Sequence, residues 1–364
     1  MQKACEGSSA SRSRLWLIGG IVFTLFLGAA TAAADGFGRD VLVLTSTNDA
    51  TKNNVVVFKL NTASTPSLSL VSMFPTGGAG GASGNGGALQ FSGVFGAVAN
   101  YGSNTVSQLI RTGDTVQISG TIKLAPNCMG PVSVALSRSQ LFIAGTTCAE
   151  SHFWPVGTVD GTPVKLPDTS AGQIAVGNTW AAVTLKSGSV VQLPLTPFGA
   201  LTGTSASVTL PAMANNTPLG AAFWGDLLGF NPAHSPDSFA LVNKNRSVFP
   251  VAGPQPAYPT NAPCWLAKGA GNIWYSGNSP GQAISIFFSD GQGGVFYKSV
   301  PLPGVPTDVA VSPDGNWLAV IYTAADGSGA RLAVFAVDDN GGLTPVATSA
   351  AIGVASFSGV AFSE

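Results

Sequence analysis

The chain of 364 residues carries a formal net charge of −1, with 9% charged and 45% hydrophobic residues, 46 glycines and 24 prolines. That apolar share is enough for a sizeable core and excludes an intrinsically disordered chain. The near-neutral balance gives no support for nucleic-acid binding, which needs a basic face to meet phosphates, and none is expected.

Lys3, Arg12 and Arg14 precede an apolar run, Leu15–Leu27, and Ala32-Ala33-Ala34 follows as an A-x-A cleavage site. This pattern predicts a signal peptide over 1–34 and a mature chain from Asp35. Left uncleaved, Leu15–Ala34 is long enough to span a bilayer, the one case in which membrane contact is expected. The expected location is secreted or extracytoplasmic.

After this segment, Asp40–Thr45, Val55–Leu60 and Leu68–Phe74 read as strands, and the Gly-rich Gly77–Gly87 reads as a flexible connector. Cys128 precedes the strand Val132–Leu136, and Cys148 follows the strand Leu141–Ala144. A turn near Arg138-Ser139 folds these strands back on each other, so the two cysteines meet at the open end and a disulfide is expected. Cys264 is then the odd one, either a buried small hydrophobe or a free thiol. The sequons Asn215-Asn216-Thr217 and Asn245-Arg246-Ser247 permit glycosylation in a eukaryotic host. Pro250–Pro263 reads as a second connector.

The clearest local signal is Pro306–Tyr322, PTDVAVSPDGNWLAVIY, a strand, a Ser312-Pro313-Asp314-Gly315 turn and a second strand. Weaker copies give apolar anchors at Leu89, Val134, Ile174, Ala221, Leu266, Val309 and Val360, at intervals of roughly 40 to 50 residues. Short strands at that period, with Gly, Pro and Asn punctuation and almost no helical periodicity, predict an all-β, seven-bladed β-propeller over 35–364 as a single domain. Val354–Phe362 supplies an innermost strand with nothing after it, whereas Asp40–Thr45 looks like a second strand without a first. Pairing the two closes the first blade from both termini and removes an open edge.

The VAVSPDGNWLAV run, the period and the split blade resemble the lactonase-type seven-bladed propellers, a group that includes 6-phosphogluconolactonase-like and carboxymuconate-cyclase-like proteins. The resemblance implies a small-molecule cavity at the central channel, with His, Arg and Glu or Asp around it in members with proposed activity. One step before each anchor stand Ala88, Ser133, Gln173, Gly220, Trp265, Asp308 and Gly359, expected near the channel mouth. No His or Arg is among them and Asp308 is the only charge, which points away from lactone chemistry. Ser133, Gln173, Trp265 and Asp308 are the expected ligand-binding side chains.

Besides the terminal Glu364, the mature chain offers His152, His234 and Glu150 as its histidines and glutamate, and all three are expected in loops on the side of Asp308. Glu150 with His152 could activate water, since a carboxylate raises the basicity of an imidazole, and Asp308 is the alternative base. The plainer expectation is that loops collect polar residues and that both histidines are solvated. Gly277-Asn278-Ser279-Pro280-Gly281 matches the G-x-S-x-G pattern, but Pro280 has no N–H for an oxyanion hole and no helix follows. Gly77–Gly87 lacks the Walker lysine, and Asp338-Asp339-Asn340-Gly341 reads as a hairpin turn and not a calcium loop. No cofactor is expected, and no His, Cys, Asp or Glu cluster has metal-ligand spacing. Trp180, Trp274 and Trp317 are expected in the core.

The leading expectation is an exported, monomeric propeller that binds a small molecule, or a protein or glycan partner, at the channel mouth with weak or no catalysis. The alternative is a lactone hydrolase or lactone-forming isomerase, and a third is an envelope or cell-surface interaction protein.

Overall fold

The computed structural model describes residues 41–62, 65–137, 139–211, 217–234, 239–251, 262–353 and 357–364. The expected signal peptide, most of the first sequon, most of the 250–263 connector and the start of the C-terminal strand lie outside them. Among the described residues, the only helical element is a single 3-10 turn at Tyr101–Ser103, and no helix is long and apolar enough to cross a membrane.

Seven antiparallel blades surround a channel, each with its innermost strand against the axis. The innermost strands are Leu89–Ser92, Ser133–Leu136, Ala171–Val176, Pro218–Trp224, Pro263–Lys268 and Gly304–Val311 in blades two to seven, and Ser358–Ser363 in the first blade. All seven sequence anchors fall on these strands. In the first blade Ser358–Ser363 pairs with Val41–Ser46, Val43 standing opposite Phe362 and Leu44 opposite Ala361. Asn54–Asn61 and Ser67–Pro75 continue the sheet outward. Val41–Ser46 and Ser358–Ser363 therefore close the ring as the sequence predicts.

Local chemistry explains the sharpest hairpin. Ser312 Oγ donates to Asp314 Oδ1 at 2.5 Å and accepts the Trp317 N–H at 2.9 Å, while Gly315 takes a φ of +78° that a side chain would resist. Blade three departs from the four-stranded plan. Both Thr158–Val159 and Val164–Lys165 pair with its third strand, Cys148–Phe153, and Gly161–Thr162 pairs with Leu201–Thr202 of blade four.

Alternating side chains face the neighbouring blades, and the described apolar core accordingly divides into seven clusters, one between each adjacent pair. Val43, Ile321, Leu332 and Phe362, for instance, join the seventh blade to the first. Burial between blades leaves the axis free of large side chains, and a channel can persist there.

Candidate functional site

Each innermost strand presents two positions toward the axis, the residue before its anchor and the residue after it. The second set is a belt of small side chains, Ala135, Ala175, Ala222, Ala267 and Ala310, with Gln90 as its polar member. Together they surround a cavity of about 240 Å³ that also reaches Gln173 and Asp308. Leu136, Val176 and Lys268, at the far ends of the same strands, are less buried than the residues before them, and Phe223 and Val311 are only partly buried. The cavity thus opens where the first and second strands of each blade are joined by hairpins, and Asp308 lies at its inner end.

The inner end is closed by the Gly-rich segment, which is an ordered strap and not the flexible connector expected from composition. Asn85 Nδ2 donates to the carbonyls of Ala171 and Gly172 in blade four at 2.9 and 3.2 Å. Gly87 donates its N–H to Asp308 Oδ2 of blade seven at 3.0 Å, and its carbonyl accepts the Val134 N–H of blade three at 2.9 Å. Ser358 of the first blade donates to the Asn85 carbonyl at 3.2 Å. Glycine is required here by close approach: a Cβ on Gly86 would stand 2.3 Å from Gln173 Oε1, and Gly87 has a φ of +64°.

The four expected ligand-binding residues all join this closed end. Ser133 Oγ accepts the Ile174 N–H of the next blade at 3.2 Å, and Gln173 Oε1 accepts the Ala221 N–H of the blade after at 3.0 Å. Trp265 Nε1 donates to the Pro306 carbonyl of blade seven at 2.7 Å. The Asp308 carboxylate accepts the N–H groups of Gly87 and Val309, and those of Gly359 and Val360 in the first blade. Each side chain thus clasps the following blade. Gln173 and Asp308 also line the cavity, whereas Ser133 and Trp265 are buried behind it.

Burial dominates the charge state of Asp308, pushing its carboxyl up to about 7 despite the backbone donors that oppose this shift. At the rim, burial lowers Lys268 to about 8. Its ammonium donates to the carbonyls of Gly269 and Gly271 and stands 5.2 Å from the ring centres of Trp224 and Trp274. Asp308 and Lys268 are the ionisable side chains of the described cavity wall.

Solved structures share this architecture. A candidate 6-phosphogluconolactonase from Bacteroides uniformis superposes with a TM-score of 0.64 at 16% identity, covering 89% of this chain and 99% of its own. The periplasmic gluconolactonase of Pseudomonas aeruginosa gives 0.63 at 16% identity, with coverages of 89% and 99%. A candidate 6-phosphogluconolactonase from Bacteroides fragilis gives 0.63 at 13% identity, with coverages of 90% and 99%. The chain shares the seven-bladed propeller fold of these structures. No family model and no curated protein matches the sequence itself.

Within this seven-bladed propeller, Glu150 and His152 are not in a channel-side loop. They sit on Cys148–Phe153, the third strand from the axis in blade three, with their side chains 0% and 1% exposed. Residues two apart on a strand share a face, and here that face turns toward blade two. Glu150 Oε2 lies 2.9 Å from His152 Nε2, and Oε1 accepts the Ala125 N–H at 2.8 Å. His152 Nδ1 lies 3.2 Å from the Gly157 carbonyl. Glu150 Oε2 and the Gly157 carbonyl thus hold the two ring nitrogens in place. The pair is formed, but it belongs to the interface between blades.

His234 is exposed, 2.7 Å from Thr217 Oγ1. Ser279 of the G-x-S-x-G match donates to the Pro306 carbonyl at 2.8 Å, between two strands and not before a helix. Cys128 and Cys148 are bridged as expected, and Cys264 is a buried free cysteine. Gln90, Lys268 and the strap are the parts of the site that sequence reasoning missed. Gln90 and Lys268 stand at fixed offsets after their anchors, a signal that was present in the repeat.

Proposed function

We propose that the protein acts on small lactones in the channel cavity, hydrolysing the ring ester or closing it in the reverse direction. The observation that carries this reading is Asp308, a buried carboxylate raised to about 7 at the inner end of a small cavity. A base poised near neutrality suits proton transfer from water during attack on an ester carbonyl. Fold likeness to a gluconolactonase supports the reaction class by analogy.

In this mechanism the substrate enters past Lys268 and lies against the alanine belt. Asp308 takes a proton from water as the water oxygen attacks the lactone carbonyl. Gln173 is held by the Ala221 N–H at its Oε1, which leaves Nε2 to donate toward the developing oxyanion, with Gln90 beside it. The ring C–O bond then breaks, and the proton held on Asp308 passes to the leaving alkoxide. The cavity volume of about 240 Å³ restricts the substrate to a compact ring compound.

The decisive experiment is proton release from a panel of five- and six-membered lactones by wild type and Asp308→Asn. Turnover lost by about 100-fold or more in a folded variant supports the assignment. Activity unchanged by the substitution sinks the role of Asp308. A second reading, binding without turnover, is favoured by the backbone donors already engaged by the carboxylate; lactones that raise the melting temperature without being consumed would select it. An extracytoplasmic location fits the disulfide and the expected signal segment, and export is tested by finding the mature terminus at Asp35.

A further inference from the structure

The Cys128–Cys148 bridge lines a surface cleft of about 670 Å³ together with Ala125, Asn127, Thr147 and Lys165, well away from the axis. Behind the bridge stands Glu150, whose Oε1 is 3.9 Å from Cys148 Sγ. Both sulfurs and a carboxylate oxygen of Glu150 lie within 4.8 Å of one another. The two cysteine-bearing segments are also clamped independently of the covalent bond. Thr146 donates its N–H to the Met129 carbonyl at 2.7 Å and its Oγ1 to the same carbonyl at 2.9 Å. Thr147 Oγ1 donates to the Asn127 carbonyl at 2.9 Å and accepts the Met129 N–H at 3.2 Å. Opening the disulfide therefore leaves two thiols side by side.

We infer that, once a thiol reductant opens this bridge, Cys128, Cys148 and Glu150 form a chelating site for a thiolate-preferring divalent metal ion of the zinc or cadmium type. Reduction adds two electrons and two protons to the disulfide, supplied by two reductant thiols that leave as their own disulfide. The metal then displaces both thiol protons, forms two metal–sulfur bonds and one metal–oxygen bond, and takes a water from the cleft as fourth ligand. Two sulfurs and one oxygen with an open fourth position match the ligand preference and tetrahedral geometry of such an ion. The carboxylate is already oriented by the Ala125 N–H on Oε1 and by His152 on Oε2, which is the outer support that metal ligands need. The cleft supplies the path by which reductant and ion arrive. Bridge and metal are mutually exclusive occupants of the same sulfurs, so the site is masked whenever the chain is oxidised. This inference is independent of the lactone reading.

Cobalt(II) is the probe. The full mature chain, reduced and kept free of oxygen, is expected to develop near-ultraviolet thiolate-to-cobalt absorption that saturates at one ion per chain. The unreduced protein should show none. Cys128→Ser and Cys148→Ser should each abolish the band, Cys264→Ser should leave it, and Glu150→Gln should weaken binding tenfold or more. A reduced, folded chain without the band overturns the inference, as does a band that survives Cys128→Ser. If reduction alone unfolds the chain, zinc must restore its native melting transition; failure to do so is equally fatal.

Discussion

Oδ2 of Asp308 accepts the N–H of Gly87 at 3.0 Å, joining positions 221 apart in the chain. That bond ties the strap to blade seven and fixes the carboxylate at the inner end of the cavity. It couples the proposed chemistry to the integrity of the channel closure.

The first prediction concerns pH. Burial raises the Asp308 carboxyl from 3.8 to about 7 in the folded chain. Between those values the folded state holds a proton that the unfolded state has released, so stability falls as pH rises from about 4 to about 7. The full difference is on the order of 4 kcal/mol, present below the lower value and lost above the upper one. Urea unfolding across this range should show the decline in wild type and a flatter profile in Asp308→Asn. Identical slopes in the two proteins would remove Asp308 as its source.

The strap gives a second prediction. In Gly86→Ala the added methyl meets Gln173 Oε1 at 2.3 Å, so the strap or Gln173 must move. The expected loss is about 1–3 kcal/mol, accompanied by altered lactone binding, since Gln173 lines the cavity. A variant with wild-type melting and wild-type binding would mean that the strap adjusts freely.

Glu150 and His152 make a third case. Replacing Glu150 by Ala leaves His152 Nε2 buried without its partner, and an Ala125 N–H without its acceptor. Leaving buried polar groups unpaired in this way costs about 1–3 kcal/mol for each group. Removal of both partners by Glu150→Leu with His152→Phe should recover part of that loss. A double variant less stable than the two single losses combined would contradict the pairing.

Deleting residues 354–364 removes the innermost strand of the first blade and uncovers Val43 and Leu44, both fully buried. The truncated chain should not accumulate in soluble form, as judged by yield after centrifugation. Soluble, cooperatively melting truncated protein would show that ring closure is dispensable.

Much of this was legible in the sequence because the propeller repeat writes the same strand at each turn of the ring. The SPDG hairpin located blade seven, and the other anchors followed by spacing, so Gln173 and Asp308 could be placed at the axis. The side on which the cavity opens was not legible. It depends on Gly86 and Gly87 crossing the axis, a tertiary contact between residues far apart in sequence. Glu150 and His152 were misplaced because CAESHF has the polarity of a loop, although i, i+2 spacing on a strand sets both on one face. The grouping of Glu150 with the two cysteines was hidden for a similar reason: the cysteines are 20 residues apart and meet only through the hairpin.

The clasp between blade seven and the first blade has a consequence in time. Asp308 is synthesised before Gly359 and Val360, the residues whose N–H groups receive its carboxylate. A chain emerging from the ribosome or a translocon thus carries the acid long before it carries the cradle for it. The strand Ser358–Ser363, made some fifty residues after Asp308, completes the surroundings of the carboxylate. A chain that stops before Ser358 would leave the Asp308 carboxylate without the first-blade N–H groups that flank it.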